Sequence, residues 1–436
     1  MKTITEILFA SAIVSVVGIS VLGFSATAFA YPLDGYEETG IRRVEGARLA
    51  NEGLAIGGTQ PPGALLTTEQ VDLRLLGHPN LTLPKVDPAF TAQIEALLGE
   101  SADRYGIAVL DLTDLDHPRY AEHRGDYQQN VGSVGKLLVA LGLFQALADT
   151  WPDDLERRQA VLHDTIMTAD NFAHHDHHTI RIFNVEDRTL VRRPVQDGDQ
   201  GSLWEYLDWM LSVSSNSAAA MVMRDAMLLK HYGKEYPVSE EELHRFFSET
   251  PRAELTKLFQ ATFWEPVTRN GLPLDQIRQG SFFTAQGKKN VNGGGNSYAT
   301  ARTLMEFVLM MEEGRLVDEW SSRQFKRLLY MTERRIRYAS SPELKDAAVY
   351  FKSGSWYKCK EEEGFVCKAY AGNVRNFMNS VAIIEQEIDG VKLHYIAIVI
   401  SNVLRKNSAV EHQTLGTEVH RLIKQANTRD PDSPAE

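Results

Sequence analysis

Residues suited to β-strands fall in two groups near opposite ends of the chain, and this placement constrains the fold more than any other feature. Residues 106–112 read as a buried strand and 119–123 as its partner, and β character then returns only at 347–351, 380–384 and 393–400. The stretch between, about 150–335, reads mainly as helices, including 204–210, 217–230, 253–263 and 300–313. Strand backbones must find hydrogen-bond partners, and strands at both ends with helices between them point to a single shared sheet. The expected class is α/β (α+β): one antiparallel sheet built from both chain ends, flanked by helices, with an all-helical subdomain inserted and a cleft between the two parts. A helix from Asp87-Pro88 to Leu98 precedes the first strand, and a helix over 409–426 closes the chain.

The first thirty residues combine Lys2, an apolar run from Ile7 to Phe24 and the small-residue pattern Ala28-Phe29-Ala30. That is the pattern of a secretory signal peptide, and export to the periplasm or medium is the expectation. The run is long for a signal, so an uncleaved membrane anchor is the alternative, and the one expected contact with a membrane. Residues 31–86, rich in Gly and Pro, are expected to form an irregular N-terminal arm, and 427–436 a polar tail. The formal charge of -12 argues against a nucleic-acid groove or an anionic lipid surface as the main partner. The two cysteines, Cys359 and Cys367, are expected to pair in an oxidising compartment, as a local staple of about 2.5 kcal/mol in the chain-entropy model. Two free buried thiols are the alternative.

Chemistry concentrates at Ser133-Val134-Gly135-Lys136, which opens a run (137–144) apolar on every face and so a helix buried inside the protein. Ser133 lies where free backbone N–H groups point outward, and Lys136 lies one turn on along the same face. Burial and the helix N-terminus both disfavour an ammonium there, which moves Lys136 towards a general base. Alone, a Ser three residues before a Lys is as well explained by a helix cap. Two further motifs follow in order. Ser214-Ser215-Asn216 starts a small-residue helix, and Lys352-Ser353-Gly354 ends an apolar strand, where a glycine permits close approach and the Ser355 N–H can donate to an oxyanion.

This ordered triplet resembles the Ser-x-x-Lys, Ser-x-Asn and Lys-Thr/Ser-Gly set of the serine β-lactamase and penicillin-binding-protein superfamily, with class A β-lactamases the nearest pattern. The resemblance spans 87–426, including Thr300-Ala301-Arg302 at a helix start, and leaves the arm outside. It implies a β-lactamase/transpeptidase-like fold and an acyl-enzyme mechanism. Ser133, Lys136, Ser214 and Lys352 would be catalytic, while Asn216, Ser353, Gly354 and Ser355 would bind substrate. Class A enzymes also carry a glutamate that activates the hydrolytic water, and Trp264-Glu265-Pro266 resembles the start of its loop, which makes Glu265 the candidate. The following Val267-Thr268-Arg269-Asn270 departs from the usual pattern. A cation for the substrate carboxylate is also implied, with Arg375 as the candidate.

The expected function is therefore that of an exported serine hydrolase, β-lactamase-like, acting as a monomer on a small-molecule β-lactam or a peptidoglycan stem peptide. A D-alanyl-D-alanine carboxypeptidase or transpeptidase is the first alternative, and a non-catalytic peptidoglycan-binding module the second. The serine mechanism needs neither cofactor nor metal. The run His174-His175-Asp176-His177-His178 has metal-binding residue types, but consecutive loop residues seldom aim at one point.

Overall fold

The computed structural model describes residues 34–55, 60–333 and 335–428. The expected signal segment, 1–30, and residues 429–436 of the expected tail lie outside the described residues. Nine strands occur among those described: β1 (Tyr105–Asp111), β2 (Arg119–His123), β3 (Ile166–Thr168), β4 (Ile180–Asn184), β5 (Thr189–Arg193), β6 (Gln200–Ser202), β7 (Ala348–Lys358), β8 (Arg375–Ile388) and β9 (Val391–Asn402). Five form one sheet in the order β2-β1-β9-β8-β7, with every neighbouring pair antiparallel. The two chain ends thus meet at the β1–β9 ladder, where Tyr105 pairs with Ser401 and Asp111 with Tyr395.

Period-two alternation divides the sheet residues between two cores. Ala108, Leu110, Val381, Ile383, Ile396 and Ile398 face the larger core with the middle helices. Ile107, Val109, Ala382, Ile384, Ala397 and Val399 face a smaller one, closed by the helices Pro88–Leu98 and Ser408–Thr428 through Ile94, Leu415, Val419 and Ile423. With both faces covered, a strand such as β1 is buried at all seven positions, which is why its sequence reads as a continuous apolar run.

The helix Lys136–Thr150 lies at the centre of the larger core, and twelve of its fifteen residues are buried. It extends a short turn, Gly132–Gly135, of 3₁₀ geometry, and together they are long and apolar enough to span a bilayer. Protein encloses them instead, with 78% of the apolar window buried. Neighbouring helices Leu203–Leu211 and Asn216–Tyr232 are joined by the short turn that carries Ser214.

Two features differ from the sequence expectation. The helical part includes two small antiparallel pairs, β3 with β6 and β4 with β5. In β4 the buried residues are Ile180 and Phe183, three apart, so the alternation that marks a strand is missing. The expected irregular arm, described at 34–55 and 60–86, is irregular over much of its length but is packed into the protein. It contains the helix Arg42–Asn51, and Ile41, Val44, Val71 and Leu75 are fully buried in the larger core. Only Val44, Leu49 and Ala50 give that helix an apolar face, and Gly46 interrupts it, because a Cβ there would lie 2.6 Å from the Phe183 ring. Its anchor is electrostatic. The Arg43 guanidinium grips the fully buried Asp208 through two bonds of 2.5 Å and donates to the Met331 carbonyl at 2.7 Å, while Arg42 pairs with Glu205 at 2.8 Å.

Candidate active site

The turn Gly132–Gly135 presents Ser133 at the end of the buried helix, and Gly132 adopts φ +54°, a conformation that favours glycine. Strand β7 packs directly against this turn. A Cβ on Gly354 would lie 2.0 Å from the Val131 carbonyl oxygen and 2.9 Å from the Ser133 nitrogen, and one on Gly132 would lie 2.9 Å from the Ser355 nitrogen. Two glycines therefore let two backbones close on each other, which brings the N–H groups of Ser133 and Ser355 to one edge of the cleft.

Lys136 is fully buried, with its Nζ 3.0 Å from Ser133 Oγ, 3.2 Å from Ser214 Oγ, 2.8 Å from Asn216 Oδ1 and 2.5 Å from the Ser214 carbonyl oxygen. Burial lowers its pKa to about 7, although the charge of Asp176 opposes the shift. From the sheet side, Lys352 Nζ donates to Ser214 Oγ at 2.9 Å and to the Ser353 carbonyl at 2.9 Å. Its pKa falls far below the ordinary lysine value, first through burial and then through the nearby charges of Lys136 and Arg337. Ser214 thus joins the two amines. It adopts φ +64°, an unfavourable conformation for a residue with a Cβ, and such strain persists only where surrounding structure holds it.

The three motifs converge, but two other expected residues lie elsewhere. Glu265 starts the helix Glu265–Arg269 with a side chain 59% exposed, 3.9 Å from Lys230. Lys230 belongs to the far end of the helix that starts at Asn216, about 20 Å away along the axis. The chain after Trp264 folds back, pinned by a bond of 2.9 Å from Trp264 Nε1 to the Gln279 carbonyl, so that Gln279 reaches the cleft and Glu265 does not. Arg375 is also misplaced. It pairs with Lys358 at the outer end of β7, exposed, with its guanidinium 5.0 Å from the Trp356 ring centroid. The cation at the site is Arg337, buried over the Tyr370 ring and donating from Nη1 to the Gly354 carbonyl at 2.9 Å. Nothing in Arg334-Arg335-Ile336-Arg337 distinguishes it by sequence.

The cleft, of about 740 Å³, is lined by Asn130, Ser133, His178, Asn216, Gln279 and Ser355 among others, and Ser214, Arg337 and Ser353 line its inner extension. Cys359 and Cys367 form a disulfide, with Cα atoms 6.1 Å apart, in the connection between β7 and β8. From the histidine-rich stretch, Asp176 caps the Asn216 helix. Its Oδ2 accepts from Asn216 N (2.6 Å), Ser215 Oγ (3.0 Å) and Ser217 N (3.1 Å), and its Oδ1 lies 2.6 Å from His178 Nδ1. Asp176, His177 and His178 bring three potential ligand atoms within 4.8 Å of one another. Both Asp176 oxygens are already engaged, which makes the group a poor cation cage.

This geometry suits acyl transfer: a hydroxyl beside a desolvated amine, a second hydroxyl bridging two amines, and paired backbone donors. No curated relative matches the chain. Among solved structures, similarity extends to PBP-A (14% identity, TM-score 0.46, covering 79% of this chain and 100% of that one). It extends also to β-lactamases from Sphaerobacter thermophilus DSM 20745 (13%, TM-score 0.47, 80% and 100%) and Chitinophaga pinensis DSM 2588 (12%, TM-score 0.44, 77% and 98%). The model of the β-lactamase enzyme family matches residues 89–375, well over half of the chain. The chain therefore belongs to the β-lactamase enzyme family.

Proposed function

We propose that the protein is an exported serine hydrolase that opens a β-lactam or a related amide through an acyl-enzyme on Ser133. The observation that carries this reading is the placement of Lys136 Nζ 3.0 Å from Ser133 Oγ, with Ser214 Oγ within 3.2 Å of both lysine amines. The neutral Lys136 amine takes the Ser133 proton as Oγ attacks the carbonyl carbon. The N–H groups of Ser133 and Ser355 hold the oxyanion. Ser214, hydrogen-bonded to Lys352, passes a proton to the leaving nitrogen as the C–N bond breaks. Asn216 orients the acyl side chain, and Ser353 with Arg337 receives the substrate carboxylate.

Intact-protein mass spectrometry of the mature chain with a penicillin, followed over time, tests the reading. A single adduct that Ser133→Ala abolishes is the expected result, and its absence from the wild-type protein with penicillins and other β-lactams overturns it. The second reading, a D-alanyl-D-alanine peptidase, is favoured by the position of Glu265 outside the cleft, since slow attack by water is what separates the two activities. Glu265→Gln is expected to leave both formation and decay of the adduct unchanged in the same time course.

A further inference from the structure

Glu265 lies outside the cleft, and Lys136, 3.0 Å from Ser133 Oγ, is assigned to the first half of the reaction, so the base for the attacking water is sought among the other groups that line the cleft. Among the described residues that line the cleft there is no carboxylate. Gln279 has a buried Oε1 without a hydrogen-bond partner, but an amide cannot take up a proton at neutral pH. His178 can. It is among the residues that line the cleft with Ser133 and Asn216, and the inner extension with Ser133 and Ser214. The Asp176 carboxylate only accepts hydrogen bonds, so the 2.6 Å contact assigns the ring proton to Nδ1 and leaves Nε2 with a free lone pair. Nε2 has no partner among the described residues. Asp176 is itself fixed by three donors at the start of the Asn216 helix, so the ring orientation is inherited from the element that also carries Asn216.

We propose that His178, oriented by Asp176, is the base that activates water for hydrolysis of the Ser133 acyl-enzyme. The proposal rests on the acyl-enzyme reading and extends it to the second half of the reaction. Nε2 takes a proton from water as the water oxygen attacks the acyl carbon. The oxyanion returns to the two backbone donors. On its collapse the carbon–Oγ bond breaks and the imidazolium proton passes to Ser133 Oγ, releasing a carboxylic acid and restoring both residues. Burial, foremost, holds the His178 pKa below the ordinary histidine value; Lys136 and His177 act in the same direction and Asp176 opposes them. The ring is therefore neutral, and able to act as a base, at pH 7.

The test follows adduct formation and decay with penicillin G by rapid-quench intact mass, on EDTA-treated wild type, His178→Gln and His178→Asn. In both variants the Ser133 adduct is expected to form, which also reports that the cleft is folded, while its decay slows about 10²- to 10⁴-fold. Wild-type decay is expected to fall on the acid side as His178 gains a proton, and that limb should vanish in the variants. Unchanged decay in the variants overturns the proposal, as does a parallel loss of formation and decay, a wild-type adduct that persists for hours, or decay abolished by EDTA. If the wild type forms no adduct at all, the Ser133 reading fails first and the proposal with it, an outcome distinct from intact formation with unaltered decay.

Discussion

Lys136→Ala is expected to slow acylation of Ser133 by about 10²- to 10⁴-fold, the range that a positioned general base supplies. The lysine is the one amine within reach of both serine hydroxyls, at 3.0 Å and 3.2 Å, and its burial lowers the pKa to about 7. The direction of the pH dependence follows. Below that value Nζ holds a proton and cannot accept another, so wild-type acylation should fall about tenfold per pH unit on the acid side and level off above it. In the variant this limb should disappear along with the rate. Single-turnover acylation between pH 5 and 9 measures both. A wild-type profile flat across pH 7 would remove Lys136 as the base even if the variant were slow.

The second large effect is on stability. Arg43→Ala strips the partner from a carboxylate that has no exposure to solvent, and breaking a buried pair in this way costs about 3–5 kcal/mol. Burial already raises the Asp208 pKa against the pull of Arg43, and without the guanidinium it rises further. A carboxyl with a raised folded pKa binds its proton more tightly in the native state than in the unfolded chain. The variant should therefore lose stability as pH climbs above the unfolded carboxylate range, and be weaker at pH 8 than at pH 5. Urea midpoints at the two pH values read this out. Restored stability in Arg43→Met/Asp208→Leu would show that the cost lies in the orphaned charge and not in lost packing.

The sheet was legible because β1, β8 and β9 carry unbroken apolar runs, which only doubly covered strands need. The three motifs were legible because each places a reactive side chain at the end of an element whose apolar pattern is plain: the helix after Ser133, the helix after Ser214 and the strand before Lys352. Where chemistry depends on loop paths the sequence was silent. Glu265 and Gln279 both follow elements of clear type, but which one enters the cleft depends on a fold-back pinned by Trp264. Arg337 and Arg375 are equally unremarkable in sequence; burial separates them. The helix at 42–51 was hidden because its contribution rests on two arginines paired with Glu205 and Asp208, and polar anchoring leaves no apolar period to read.

The meeting of the chain ends in the sheet also bears on when the molecule can form. Asn427 reaches Asp111 across 316 residues, and the ladder of β1 with β9 closes a loop nearly as long. A strand buried on both faces cannot be completed until its late partner exists, so β1 must wait while the ribosome makes the rest of the chain, roughly 15 s to 1 min at 5–20 residues per second. Long-range pairing of this kind is also slow in itself. Throughout that interval the two apolar faces of β1 lack their final covering. The chain is thus delivered late to its native state, and its exposure to aggregation is set by the time of synthesis as well as by the rate of folding.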